Sequence, residues 1–110
     1  MSDTYSVRYS PEAKEDLKDI YAYIAYDLQA PDTAKGQVNR IRKEIRSLDF
    51  MPARYAMVDW GPWKSLGMRH VSVDNFVVYY AVNDNQHIVT VIRIFYSGRN
   101  VEGIINELGK

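Results

Sequence analysis

A chain of 110 residues with 46% hydrophobic and 25% charged residues has the size and composition of one globular domain, residues 1–110. Fourteen Lys and Arg balance fourteen Asp and Glu, unlike proteins that grip nucleic acid without regard to sequence, where a basic excess is usual. Cysteine is absent, which excludes disulfides, thiol nucleophiles and thiolate metal sites. With no leader-like N-terminus and no apolar run of about 18 residues, a soluble cytoplasmic domain without membrane contact is expected.

Residues 5–10 read as a short strand. Ser10-Pro11-Glu12 is a helix start: a hydroxyl cap, a proline at the first position and an acid in the first turn. The apolar stripe Leu17, Ile20, Tyr21, Ile24 and Leu28 predicts a helix ending near Gln29, since Pro31 disfavours helix before it. A second helix begins at Pro31–Thr33 and runs to Leu48, with Ala34, Val38, Ile41, Ile45 and Leu48 on one face. The short connection makes the two an antiparallel hairpin. Residues 51–66 have no clean period and read as an irregular, partly packed connection pinned by Trp60 and Trp63. Three strands follow, Gly67–Val73, Asn75–Val82 and His87–Tyr96, joined by turns at Val73–Phe76 and Asn83–Gln86. Val101, Ile104, Ile105 and Leu108 suit a short closing helix. The order β-α-α-β-β-β-α predicts an α+β fold, an antiparallel sheet with the helical hairpin on one face.

Few residues offer chemistry. There is no Gly-rich phosphate loop, no H-E-x-x-H helix and no G-x-S-x-G elbow. His70 and His87 stand apart in sequence, so neither a metal site nor a cofactor is expected. Of nine tyrosines, Tyr21, Tyr23 and Tyr26 on the first helix and Tyr79 and Tyr80 in a strand read as boundary residues rather than base-stacking platforms. The segment 11–29 carries two lysines against five carboxylates, and 31–50 carries five cations against three. Solvated faces with cross-helix ion pairs are expected, the functional alternative being an acidic surface beside a basic one. Arg69 and Arg93 fall inside apolar strands and Arg99 where the last strand ends. A charge in such a place must be paired or reach a wet face. Together the three would line one concave face and hold phosphate bidentately, with the Tyr96 phenol beside them. The alternative pairs them with Asp74, Asp84 or Glu102 at the sheet rim.

In this order, Leu66-Gly67-Met68-Arg69-His70-Val71, Phe76-Val77-Val78-Tyr79-Tyr80 and Val91-Ile92-Arg93-Ile94-Phe95-Tyr96-Ser97-Gly98-Arg99-Asn100 resemble the C-terminal half of RelE/ParE-superfamily toxins. The first half fits as well, with its Ser-Pro-Glu-Ala helix start, helical hairpin and Pro52, so the resemblance covers essentially the whole chain. It implies the toxin of a type II toxin–antitoxin module of the kind associated with plasmid stabilization, causing growth arrest and neutralised by a cognate antitoxin laid over it.

The superfamily has two kinds of target, and membership alone does not choose between them. A RelE- or YoeB-like mRNA interferase cuts mRNA on the ribosome as a metal-independent endoribonuclease. That resemblance would make Arg69 and Arg93 the cations at the scissile phosphate and Tyr96 a proton-handling group, with His70 as a further acid–base candidate. The sequence departs from it: Phe95 stands where the YoeB-like pattern has histidine, Ile104 and Ile105 stand where RelE-like members carry tyrosine, and Lys64 is the one lysine of its region. A ParE-like toxin is a gyrase inhibitor, and the long helical hairpin with Gly98-Arg99 resembles that branch, with Arg99 and Lys64 as binding residues. Tyr96-Ser97-Gly98-Arg99-Asn100 departs from the His-Gly-Arg-Arg common there. Balanced charge suits a protein target better than a ribosomal one, so the ParE-like reading is preferred. The third alternative is an inactive toxin-like partner acting only in an antitoxin complex that autoregulates its operon. Arg69 and Arg93 are expected on the same side of the sheet or at its rim, and not to point into the helical hairpin. An exposed apolar surface is expected where the antitoxin docks, shared with any homodimer contact.

Overall fold

The computed structural model describes residues 4–98, so the expected closing helix over 101–108 and Arg99 lie outside the described residues. Strand β1 (Ser6–Tyr9) runs straight into helix α1 (Pro11–Ala22). Ser10 caps that helix as its sequence predicts, its Oγ accepting from the Ala13 amide at 3.0 Å, with Pro11 and Glu12 in the first turn. The helix does not run on regularly to Gln29. Tyr23–Asp27 form a π turn, closed by the Leu28 amide donating to the Tyr23 carbonyl at 3.0 Å. The wider turn slips the phase of the apolar stripe. Ile24 and the adjacent Ala25 are buried, whereas Leu28, expected on the stripe, is 56% exposed.

Helix α2 (Pro31–Arg46) continues as a 3-10 turn over Ser47–Asp49, which matches the expected end at Leu48. Its Ala34, Ile41, Ile45 and Leu48 are fully buried. Strands β2 (Arg69–Val73), β3 (Phe76–Asn83) and β4 (Ile88–Tyr96) form the expected meander within a residue or two of the predicted bounds. The two-residue loop Asp74-Asn75 places Asp74 at φ 53°, a conformation Asp tolerates. The Asp74 carboxylate accepts from Arg40 Nε at 2.7 Å and Gln37 Nε2 at 3.0 Å, which ties the hairpin to α2.

The sheet order is β1-β4-β3-β2, and β1 pairs with β4 in parallel, so the sheet is mixed rather than wholly antiparallel. Tyr5, Val7 and Tyr9 of the amphipathic first segment pack on the main core beside the outer edge of β4, while the edge of β2 is taken by Ala56 and Val58, which bond to His70 and Met68. One face of the sheet meets the helical hairpin through Val71, Val78, Tyr80, Val89, Val91 and Ile94. The other meets the connection after α2 through Tyr79 and Phe95, against Val58, Trp63 and Met68. Trp60 stacks on Trp63 with centroids 5.2 Å apart, so both indoles do pin the irregular segment down. Tyr79 and Tyr80 are core residues rather than boundary ones.

Candidate functional site

A bulge decides where the arginines go. Tyr79 pairs with Arg93 and Tyr80 with Val91, leaving Ile92 as the extra residue of β4. On the other side of β3, Arg69 pairs with Tyr80 and His70 with Tyr79. Cross-strand partners share a face, and Tyr79 and Tyr80 belong to opposite cores. Arg69 therefore starts on the helix-covered face at the β2 edge, and Arg93 on the opposite face of β4. They are not neighbours on one concave surface, which removes the first of the two sequence readings. The extra residue in β4 and the intervening β3 separate them.

Each guanidinium is engaged locally. Arg69 Nη1 donates to the Tyr55 carbonyl at 2.8 Å and braces the connection after α2. The Tyr80 hydroxyl donates to the Pro52 carbonyl at 2.6 Å, and the Tyr55 hydroxyl donates to the Glu44 carboxylate. Burial pushes the Tyr80 phenol up to about 12, against the opposing pull of Arg69 and Arg54. The hydrogen bond to Glu44, with some burial, raises the Tyr55 phenol as well.

Arg93 turns around the sheet rim to α1. Its Nε donates to Asp16 Oδ2 at 2.8 Å and its Nη2 to Asp16 Oδ1 at 3.1 Å, while the guanidinium carbon sits 4.4 Å from the Phe95 ring centroid. The same carboxylate takes the Ile94 amide at 2.9 Å. The partner is thus Asp16, not the rim acids expected: Asp74 holds Arg40, and Asp84 accepts from the Tyr5 hydroxyl at 2.7 Å. None of the ion pairs among the described residues joins α1 to α2, so the expected cross-helix pairs are not formed. Asp16 escaped sequence reasoning because Glu12, Glu15 and Asp19 surround it on the same helix, and nothing local marks one carboxylate as the ligand of a strand 77 residues away.

Tyr96, 53% exposed, ends β4 with its ring edge-on to Phe76, centroids 6.0 Å apart. His70 lies near Tyr79, and Lys64 is exposed on the connection. Arg69, Arg93, Tyr96 and His70 do not converge on a common point. Among the described residues no group of three or more His, Asp or Glu could hold a metal ion, and no helix is long and apolar enough to cross a membrane.

Exposed apolar side chains fall in two regions, one on the connection after α2 (Phe50, Met51, Met57 and Leu66) and one around α1 and its π turn. Tyr21, Tyr23, Tyr26 and Leu28 are exposed, as is Tyr96 across from them. Two grooves flank the helix. One, of about 730 Å³, runs between α1 and the end of β4, with Ile20, Ile24, Phe76, Ile94 and Tyr96 in its walls. The other, of about 650 Å³, lies between α1 and α2 below Tyr9. Contiguous apolar surface of this kind marks a site of protein contact.

Similar folds have been solved. A protein of the chromosomal ParDE system of P. aeruginosa superposes with a TM-score of 0.70 at 21% identity, covering 86% of this chain and 98% of that one. A chain of the RelBE2 toxin–antitoxin complex of Mycobacterium tuberculosis gives 0.60 at 16% identity, covering 84% and 91%. A mutant of the E. coli toxin RelE in the free state gives 0.62 at 9% identity, covering 96% and 98%. At these identities the likeness is one of fold. No curated protein matches the sequence. The family model for the ParE toxin of the type II toxin–antitoxin system parDE matches residues 7–101. The chain belongs to the ParE toxin family, within the RelE/ParE superfamily.

Proposed function

We propose that the protein arrests growth by binding DNA gyrase, and that an antitoxin neutralises it by covering the apolar surface around α1. The observation that carries this reading is the match of the ParE toxin model to residues 7–101, which spans both helices and, but for Ser6, all four strands. Geometry supports it. Cleavage of RNA needs a base, an acid and cations converging on one phosphate. Here Arg93 is held by Asp16, Arg69 by a backbone carbonyl, and the two start on opposite faces of the sheet. A docking protein needs no such convergence. Balanced charge fits that kind of partner as well.

The test is a pulse-labelling time course after brief induction in a bacterial host, following thymidine and methionine incorporation over the first minutes. Thymidine incorporation should fall first. A first fall in methionine incorporation overturns the gyrase reading in favour of a ribosomal target. No fall in either leaves only an inactive partner that works inside an antitoxin complex.

A further inference from the structure

The chain turns sharply between the buried Leu48 and Pro52, and two apolar side chains, Phe50 and Met51, stand in water at the corner. Met51 has φ 47° and ψ 56°, a left-handed backbone that Gly or Asn adopts more easily. Arg54 braces the corner. Its Nη1 donates to the carbonyls of Phe50 at 2.6 Å, Met51 at 3.2 Å and Ser47 at 3.3 Å, and its Nη2 to Ser47 Oγ at 2.8 Å. The Tyr80 hydroxyl fixes Pro52 from the other side. A turn alone needs neither a strained backbone nor an exposed thioether. A strained residue held from two sides presents a contact already shaped for binding.

Contacts carry this surface on to the β2 edge. The Arg54 guanidinium lies 4.6 Å from the Tyr55 ring centroid, Arg69 donates to the Tyr55 carbonyl, and Met57 pairs with Arg69. The Met57 side chain reaches Gly67, where an added Cβ would lie 4.0 Å from its methyl, and Leu66 beside that glycine is well exposed. The charge here is one-sided. Over residues 43–69 Lys43, Arg46, Arg54, Lys64 and Arg69 stand against Glu44, Asp49 and Asp59. None of these cations enters an ion pair among the described residues. Arg54 and Arg69 are anchored on uncharged oxygens, and Glu44 accepts from the Tyr55 hydroxyl.

We infer that Phe50, Met51, Met57 and Leu66, within this cationic rim, form the surface that docks on DNA gyrase, against an apolar patch of the gyrase protein flanked by Asp and Glu. The inference rests on the gyrase reading above and names the surface it would use. A protein partner is favoured over the DNA that gyrase holds, because exposed methionines and a phenylalanine gain little from phosphates. Unbranched thioethers adapt to the shape they meet. Guanidiniums already held in place lose little freedom when a carboxylate arrives, and such charges set preference and association rate more than total affinity. Helix α2, 16 residues and about 24 Å long, separates the corner from the π turn. A chain laid over α1 therefore excludes gyrase by its bulk, not by occupying these side chains.

The test measures binding to purified DNA gyrase, with and without DNA, and inhibition of supercoiling, using the full chain made by cell-free synthesis. Met51→Gly/Met57→Ser/Leu66→Ser removes the apolar centre at exposed positions and relieves the backbone at Met51. Gyrase binding should weaken by about thirtyfold. Arg46→Glu/Lys64→Glu reverses two exposed rim charges; binding should weaken by about tenfold and lose much of its salt dependence. Lys35→Glu, the same change near the opposite end of α2, should bind like the wild type. Each chain is checked for native circular dichroism. Inhibition retained by the triple variant removes the surface and keeps the gyrase reading; if that variant is not native, the rim variant decides in the same way. An equal loss at Lys35→Glu, or binding that requires DNA, also overturns the surface. A wild-type chain that neither binds nor inhibits gyrase removes the gyrase reading and the inference together.

Discussion

The two halves of β4 solve one problem by different means. Over Ile88–Val91 the strand lies between β1 and β3, its backbone groups bonded on both edges and Val89 and Val91 fully buried. From Ile92 onward β1 is gone, because the chain has turned at Ser10 into α1. Side chains replace the missing strand: Ser10 Oγ donates to the Ile92 carbonyl at 2.7 Å, and Asp16 accepts the Ile94 amide. A backbone edge near the core must be paired, and a helix passing over it can do the pairing. The price is a carboxylate drawn out of water, its side chain only 11% exposed, which Arg93 then has to neutralise. The arrangement also blocks that edge against chance strand addition.

The comparison can be broken most forcefully at Asp16. Asp16→Ala leaves Arg93 and the Ile94 amide without their acceptor and should cost about 3 kcal/mol in urea denaturation. Val91→Ala, in the half with two strand partners, should cost about 2 kcal/mol through the cavity it leaves. If Val91→Ala proves the more damaging of the two, the packed half of the strand rather than the carboxylate clamp carries the larger share of its stability. Ser10→Ala removes a helix cap and an edge contact together and should cost about 1.5 kcal/mol.

Tyr80 sharpens the picture on the inner strand. Its folded pKa of about 12 lies above the ordinary tyrosine value of 10.0, so the stability from its neutral hydroxyl is complete below pH 10 and is lost as pH rises towards 12. Melting temperatures across that window should fall more steeply for the wild type than for Tyr80→Phe; parallel curves would show that the phenol titrates freely. The smallest effect is expected at Gly98, where an added Cβ would lie 2.6 Å from Tyr96 Cε2. The half-exposed ring can swing aside, so Gly98→Ala should cost under about 0.5 kcal/mol while shifting the Tyr96 ring resonances. Unchanged resonances would mean that the contact is not kept in solution.

Local signals carried far in this protein. Ser10-Pro11-Glu12 marked the start of α1, the spacing of Ala34, Ile41, Ile45 and Leu48 marked the buried face of α2, and the Asp74-Asn75 and Asn83–Gln86 turns marked the meander. These features depend on backbone preferences and periodicities within a few residues, which is why sequence alone determined the α+β order and, through the segments from Leu66 to Asn100, the resemblance to the RelE/ParE superfamily. Tertiary structure decided the rest: the parallel place of β1, the π turn that exposes Leu28, and the pairing of Arg93 with Asp16. It also decided the faces of Arg69 and Arg93, since a single bulge residue at Ile92 changes which side every later β4 residue occupies. Register and long-range pairing are set by which surfaces meet once the chain has collapsed, and no window of neighbouring residues contains that information.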